Sequence, residues 1–159
     1  MANILVQIEL EGDRPDEHSL GLINEGRVIA SRLGATLYAM LPCDTLPSYG
    51  DNDIIAILSR HGADKVILLT HKSLGGEVTL EQKEVAIKLA CKRFPPRLLL
   101  LPAREENLEL AASLAIHLQG QYTAMTHLGF SEAERTPPPM EELSSEDPTG
   151  DLPPGIRLL

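Results

Sequence analysis

Apolar residues along the chain alternate between short continuous runs and longer stretches where they return every three or four positions. The runs read as strands covered on both faces, and the spaced stretches as helices covered on one. The clearest instance spans residues 58–70, Leu-Ser-Arg-His-Gly-Ala-Asp-Lys-Val-Ile-Leu-Leu-Thr, where Gly62 supplies a left-handed stop to a helix. Lys65 then opens the run Val66 to Leu69, too continuously apolar to leave one face in water. A helix feeding such a strand belongs to a parallel sheet, so the expected class is α/β.

The remaining elements follow the same pattern. Residues 3–10 read as a first strand, with Ile4-Leu5-Val6-Gln7-Ile8 at its centre, and residues 11–15 as a loop. Residues 19–33 place Ile23, Ala30 and Leu33 on one helical stripe that stops at Gly34. Within it Gly21 and Gly26 each cost about 1 kcal/mol relative to Ala, and close packing on the sheet accounts for Gly26. Residues 35–41 form a second strand, closed by Pro42, which has no N–H to give to a ladder. After a loop with Pro47, Tyr49 and Gly50, Asp51 or Asp53 caps a short helix carrying Ile54, Ile55 and Leu58.

A polar turn at residues 71–76 leads to Thr79 and Gln82, a capping-box pair, and then Val85, Ala86, Leu89, Ala90 and Phe94 recur at helical spacing until Pro95-Pro96 forbids continuation. Residues 97–101 are the fourth strand and the most apolar run, a candidate for the sheet centre. Residues 105–119 are a helix with Leu108, Ala112, Ala115 and Leu118 inward, ended by Gly120, and residues 122–128 a fifth strand. Five strands with helices between them make a doubly wound sheet with right-handed crossovers.

Beyond Phe130 the periodicity stops. Residues 131–159 hold half of the twelve prolines and seven Asp and Glu against two Arg, so this segment carries -5 of the formal charge of -9. The expected organisation is one α/β domain over residues 1–130 and a Pro-rich acidic tail over residues 131–159, partly disordered or docking on a partner. At 159 residues such a domain buries its own core without metal or disulfide.

Composition narrows the function more than it defines it. The acidic balance argues against nucleic acid, and the absence of Trp with few other aromatics argues against base-stacking platforms. Cys43 and Cys91 lie far apart without a CxxC pairing, and no signal or long apolar span is present, which points to a cytoplasmic protein with no membrane span and two structural thiols.

The opening Met1-Ala2-Asn3-Ile4-Leu5-Val6, the joint Gly62-Ala63-Asp64-Lys65-Val66, the strand Leu98 to Leu101 and the helix end Leu114-Ala115-Ile116-His117-Leu118 resemble the N-terminal domain of the electron-transfer flavoprotein alpha subunit. The resemblance covers residues 1–130. It implies an adenine-nucleotide alpha-hydrolase-like fold, a Rossmann relative with a mostly parallel five-stranded sheet in the order 3-2-1-4-5 and helices on both faces. It also implies a beta subunit of similar fold as partner, and electron transport on FAD that is held mainly by a second, C-terminal domain. The expectation is an N-terminal-type domain without that C-terminal FAD domain. Where the family usually shows Thr-Ser-x-x-Gly-Arg-Asp after the fourth strand, this chain has Arg104-Glu105-Glu106-Asn107-Leu108-Glu109. Ala112-Ser113 stands in place of the family's Pro-Arg, and the Asp expected in the fifth strand falls near Met125. No family functional residue carries over.

In an open α/β sheet ligands bind beyond the C-terminal strand ends at the switch point, here between strands one and four. The candidate cofactor-binding residues there are Glu9, Gly12, Thr70, Arg104 and Asn107, with Glu11 beside them. A phosphate would seek the N-terminus of the helix after Pro102. Glu105, Glu106 and Glu109 already crowd that turn, and each carboxylate about 6 Å away repels a phosphate charge by roughly 3 kcal/mol at an effective dielectric of 20. Arg104 offsets one of them.

Other chemistry finds little support. Ser73-Leu74-Gly75-Gly76 lacks a phosphate-loop arrangement, and His18, His61, His71, His117 and His127 lack metal-ligand spacing. Ser31, Ser59 and Ser113 sit in helical patterns with no nucleophile elbow. Lys83, Lys88, Lys92 and Arg93 form a basic stripe that is a solvated face or a partner surface. The expectation is a stand-alone, non-catalytic subunit or partner-binding module with no tightly bound cofactor, taking FAD or AMP only together with a partner subunit. The partner is a beta-like subunit, a flavin-domain protein or the chain itself. Alternative expectations are an adenine-nucleotide sensor of universal-stress type and a homo-oligomeric structural protein.

Overall fold

A computed structural model describes residues 2–44, 53–74, 78–120, 122–124 and 155–158. The chain begins with strand β1 (Asn3–Gln7), followed by a two-residue hairpin of β2 (Leu10–Glu11) and β3 (Arg14–Pro15) that turns at Gly12, φ +67°. Helix α1 (Glu17–Leu33) starts where Asp16, in extended conformation, accepts the Ser19 N–H at 2.8 Å. Strand β4 (Thr36–Cys43), helix α2 (Ile54–Arg60) and strand β5 (Lys65–Thr70) come next. Asp53 caps α2 through the Ile55 N–H at 2.9 Å. A 3-10 turn (Lys72–Leu74) precedes helix α3 (Leu80–Arg93), whose capping box between Thr79 and Gln82 is formed in both directions. Strand β6 (Leu98–Leu101), helix α4 (Glu105–His117), and strands β7 (Tyr122–Ala124) and β8 (Gly155–Leu158) complete the described elements.

The joint at residues 58–70 is held from three sides. Gly62 takes φ +117°, a conformation that side chains rarely adopt, and a Cβ there would also stand 3.0 Å from Arg27. Asp64 accepts the Leu37 N–H and the Arg27 guanidinium, each at 2.8 Å, while its own N–H donates to the Leu37 carbonyl at 2.9 Å. The Gly-Ala-Asp-Lys-Val string is therefore a clamp joining the end of α2, the start of β4 and the flank of α1.

Among the described residues six strands form one parallel sheet in the order β5-β4-β1-β6-β8-β7. Ile4, Val6, Leu37, Leu98 and Leu100 pack beneath α1 and α2, and Leu5, Met40, Leu99 and Leu101 beneath α3 and α4. Gly26 lets α1 sit on the sheet: a Cβ there would lie 3.0 Å from Leu37, 3.2 Å from Val6 and 3.4 Å from Leu100. This is the expected doubly wound α/β class, with one change in detail. The first four major strands run 3-2-1-4 as anticipated, but Gly155–Leu158, assigned from sequence to the tail, adds a strand between the fourth and the fifth. Its ladder with β6 is four pairs long, Leu98 to Leu101, and that with β7 three.

Several local expectations are corrected. Pro42 does not close β4, which runs to Cys43. Met40 accepts the Ile8 N–H and Cys43 the His71 N–H, so alternate residues of β4 turn to β1 and to β5. Pro42 shares Met40's side but lies past the last β1–β4 register pair, Gln7 with Met40, so its missing N–H falls at the end of that ladder and not within it. Strand β5, expected to be covered on both faces, is at the sheet edge with Val66, Ile67, Leu68 and Leu69 half-buried. Helix α3 buries Ala86, Ile87, Ala90 and Cys91 and exposes Val85 and Leu89; α4 buries Leu110, Ala111, Leu114 and Ala115 and exposes Leu108 and Ala112. In each helix two apolar stripes were available. The sheet takes the broader one, with four apolar positions on adjacent turns. The expected Pro47, Tyr49 and Gly50 loop, the Gly75-Gly76 turn, the fifth strand beyond residue 124 and the tail over 131–154 lie outside the described residues.

Candidate functional site

The crevice above the C-terminal ends of β1 and β6 is built by three helix starts. After β1 the chain reaches Glu9, whose N–H donates to Ser19 Oγ at 2.9 Å and whose carbonyl accepts the Asp16 N–H at 3.0 Å. This double tie folds the first turn of α1 back over the strand end. From α3 comes Lys83, and from the start of α4 come Arg104, Glu106 and Asn107.

Their side chains close on one another. Arg104 places Nε 2.6 Å from Glu9 Oε2, a charge contact whose angle does not make it a hydrogen bond, and donates Nη2 to Asp16 Oδ2. Lys83 Nζ lies 3.3 Å from Glu9 Oε1 and 3.5 Å from Glu106 Oε1. Asn107, fully buried, donates Nδ2 to Glu9 Oε1 at 3.1 Å and to the Pro102 carbonyl at 2.8 Å. Two cations are thus set among three carboxylates. Burial alone would raise the Asp16 pKa, but the Ser19 hydroxyl and N–H, together with Arg104, outweigh it and hold the carboxyl below its ordinary range. The Arg104 guanidinium is raised in turn, chiefly by its hydrogen bond to Asp16.

Below this network lies Gln7. It follows Leu5 by two residues on β1, so both lie on the side of the sheet covered by α3 and α4. Gln7 is 1% exposed, and neither end of its amide has a hydrogen-bonding partner among the described residues; Asn107 Oδ1 is in the same position.

Of the residues expected from sequence, Glu9, Arg104 and Asn107 meet here. Thr70 does not: it ends β5, opposite Cys43, two strands away from β1. Gly12 serves the β2–β3 turn, and Glu11 on that hairpin is exposed. Gln7, Asp16, Ser19 and Lys83 were not anticipated. Asp16 with Ser19 three residues on is a legible N-cap signal one turn earlier than the apolar stripe suggested, whereas nothing in the spacing of Lys83 marks its reach across to Glu9. Among the described residues no three His, Cys, Asp or Glu stand together as a metal site, and no helix is long and apolar enough to cross a membrane.

Residues 4–128 match the family described as the electron transfer flavoprotein domain. No curated protein matches the chain. Among solved structures the chain is similar to a universal stress protein from Archaeoglobus fulgidus, with 13% identity and a TM-score of 0.48 over 74% of this chain and 87% of that one. It is also similar to a universal stress family protein from Burkholderia pseudomallei, with 16% identity and a TM-score of 0.44 over 73% and 89%. The Archaeoglobus fulgidus universal stress protein in complex with dAMP gives 12% identity and a TM-score of 0.42 over 73% and 90%.

Proposed function

The chain belongs to the electron transfer flavoprotein domain family, its match covering well over half of its length, and on that premise we propose that it is a non-catalytic subunit or partner-binding module of a cytoplasmic electron-transfer system. Its partner on this reading is a beta-like subunit or a flavin-domain protein. The observation that carries the non-catalytic part is the commitment of the crevice cations. Arg104 faces Glu9 and Asp16, and Lys83 faces Glu9 and Glu106, while Glu105 and Glu106 occupy the first turn of α4. A phosphate entering at that helix start would have to break charge-assisted contacts already made and face the remaining carboxylates. FAD or AMP is held, on this reading, only when a partner supplies the groups.

A second reading, an adenine-nucleotide sensor, is favoured by one observation. The buried Gln7 amide offers a donor and an acceptor side by side, the pattern an adenine edge complements. Calorimetry of the purified protein with AMP, ADP, ATP and FAD separates the two. No heat at millimolar ligand, together with colourless protein after gel filtration, is the result expected of the partner-binding module. Micromolar binding of AMP, ADP or ATP would overturn it and promote the sensor, whereas stoichiometric FAD would overturn its flavin-free part.

A further inference from the structure

The outward side of the α3–α4 layer carries apolar residues that the core does not use. Val85 and Leu89 on α3 are 57% and 60% exposed, and Ile116 on α4 is 78% exposed. Two contacts show that the helices lie alongside each other at this height: Glu84 Oε1 accepts the Ser113 hydroxyl at 2.8 Å and stands 3.3 Å from His117 Nδ1. Val85 follows Glu84, and Ile116 precedes His117, so these two apolar side chains rise at about one level, with Leu89 one turn further along α3. Glu84 also pairs with Lys88 at 2.7 Å, which neutralises the row between them.

Charge is polarised about that level. Exposed Glu81 lies one turn before Val85, and exposed Lys92 and Arg93 lie one turn after Leu89; on α4 exposed Glu105 and Glu109 precede Ile116. Glu81, Val85, Leu89 and Lys92 recur at helical spacing along one stripe. The stripe reads acidic, apolar, apolar, basic, and it is therefore complementary to itself when reversed.

We propose that this side is a self-association surface whose occupant is a second copy of the chain, related by a two-fold axis that runs across the helices so that α3 packs antiparallel on its counterpart. The axis passes between Val85 and Leu89. Val85 then meets Leu89 of the second copy, and Glu81 meets Lys92 of the second copy, each contact occurring twice as an isologous interface requires. Turning the axis parallel to the helices would set acid against acid and base against base, so charge selects the antiparallel arrangement. None of these residues belongs to the Glu9–Arg104 crevice, and the proposal stands or falls apart from the reading of that site.

Sedimentation equilibrium of the full chain across the micromolar range tests it. The mass is expected to rise with concentration toward twice that of the 17.3 kDa chain. Leu89→Asp is expected to keep it at a single chain with unchanged helical circular dichroism. Lys92→Glu is expected to raise the dissociation constant about tenfold, since two pairs are lost together, and Glu81→Lys combined with Lys92→Glu to restore it. A single-chain mass at every concentration would overturn the proposal. So would a dimer indifferent to Leu89→Asp, or a double exchange that fails to restore what Lys92→Glu removes.

Discussion

Asp16 and Arg104, 88 residues apart in the chain, share an ion pair that ties the start of α1 to the start of α4. The two oxygens of Asp16 divide the work. Oδ1 accepts the Ser19 N–H and begins one helix, and Oδ2 holds the guanidinium that heads the other.

Replacing Arg104 by Met is expected to destabilise the fold at neutral pH. Breaking a fully buried pair costs about 3–5 kcal/mol, but the Arg104 side chain is 43% exposed, so solvent screening lowers the expectation to about 1–2 kcal/mol. The loss depends on pH with a definite sign. Asp16 titrates below its ordinary 3.8 when folded, so its contribution is full above that value and disappears as the pH falls through it and below. Urea unfolding of both proteins at pH 7 and at pH 3 should show the difference between them shrinking at the lower pH; a constant difference would refute the linkage.

Two glycines of α1 make opposite predictions. At Gly21 a Cβ meets nothing within 4 Å, so Gly21→Ala gains helix propensity alone and should stabilise by about 0.5–1 kcal/mol. At Gly26 the same atom meets Leu37, Val6 and Leu100 at once, and overpacking of about 1–3 kcal/mol outweighs that gain. Thermal melts of the two variants should move in opposite directions.

Gln7 offers a test of unpaired polarity. Met fills a similar volume without an amide, so Gln7→Met should raise stability by about 1–3 kcal/mol, the usual cost of a buried orphan group. A loss of stability in denaturant titration would mean that the amide is satisfied in solution.

Cys91 is buried among apolar side chains, and burial pushes its thiol up to about 12. Thiolate is the reactive form, so native protein at pH 8 should leave Cys91 unmodified by a maleimide or an aromatic disulfide reagent, while unfolded protein reacts at once. Mass spectrometry of the peptide containing residue 91 distinguishes the cases.

The sheet was legible because its strands announce themselves. Ile4 to Val6, Leu37 to Leu41, Val66 to Leu69 and Leu98 to Leu101 are continuous apolar runs, and Gly34, Gly62 and the Thr79–Gln82 box mark helix ends as local chemistry requires. Position within the sheet is not local. Val66 to Leu69 looks as buried as Leu98 to Leu101 in sequence, yet one run is at an edge and the other is fully buried, because burial depends on which neighbours the topology delivers. The choice of Ile87 over Val85 and Leu89 as the inward residue fails for the same reason. At the crevice Glu9, Arg104 and Asn107 could be placed from strand ends alone. Lys83 could not, since a flexible side chain on another helix reaches them through space.

The strand Gly155–Leu158 is wedged between β6 and β7, and within the described sheet β7 has hydrogen bonds to β8 alone. A chain emerging from the ribosome can therefore assemble the layers around β1, β4, β5 and β6 early, but Tyr122–Ala124 has nothing to zip onto until residue 158 has been made. Truncation before Gly155 would leave an apolar sheet margin, Leu98 to Leu101, open to the solvent and to other chains. The order in which these strands are made is thus not the order in which they pair.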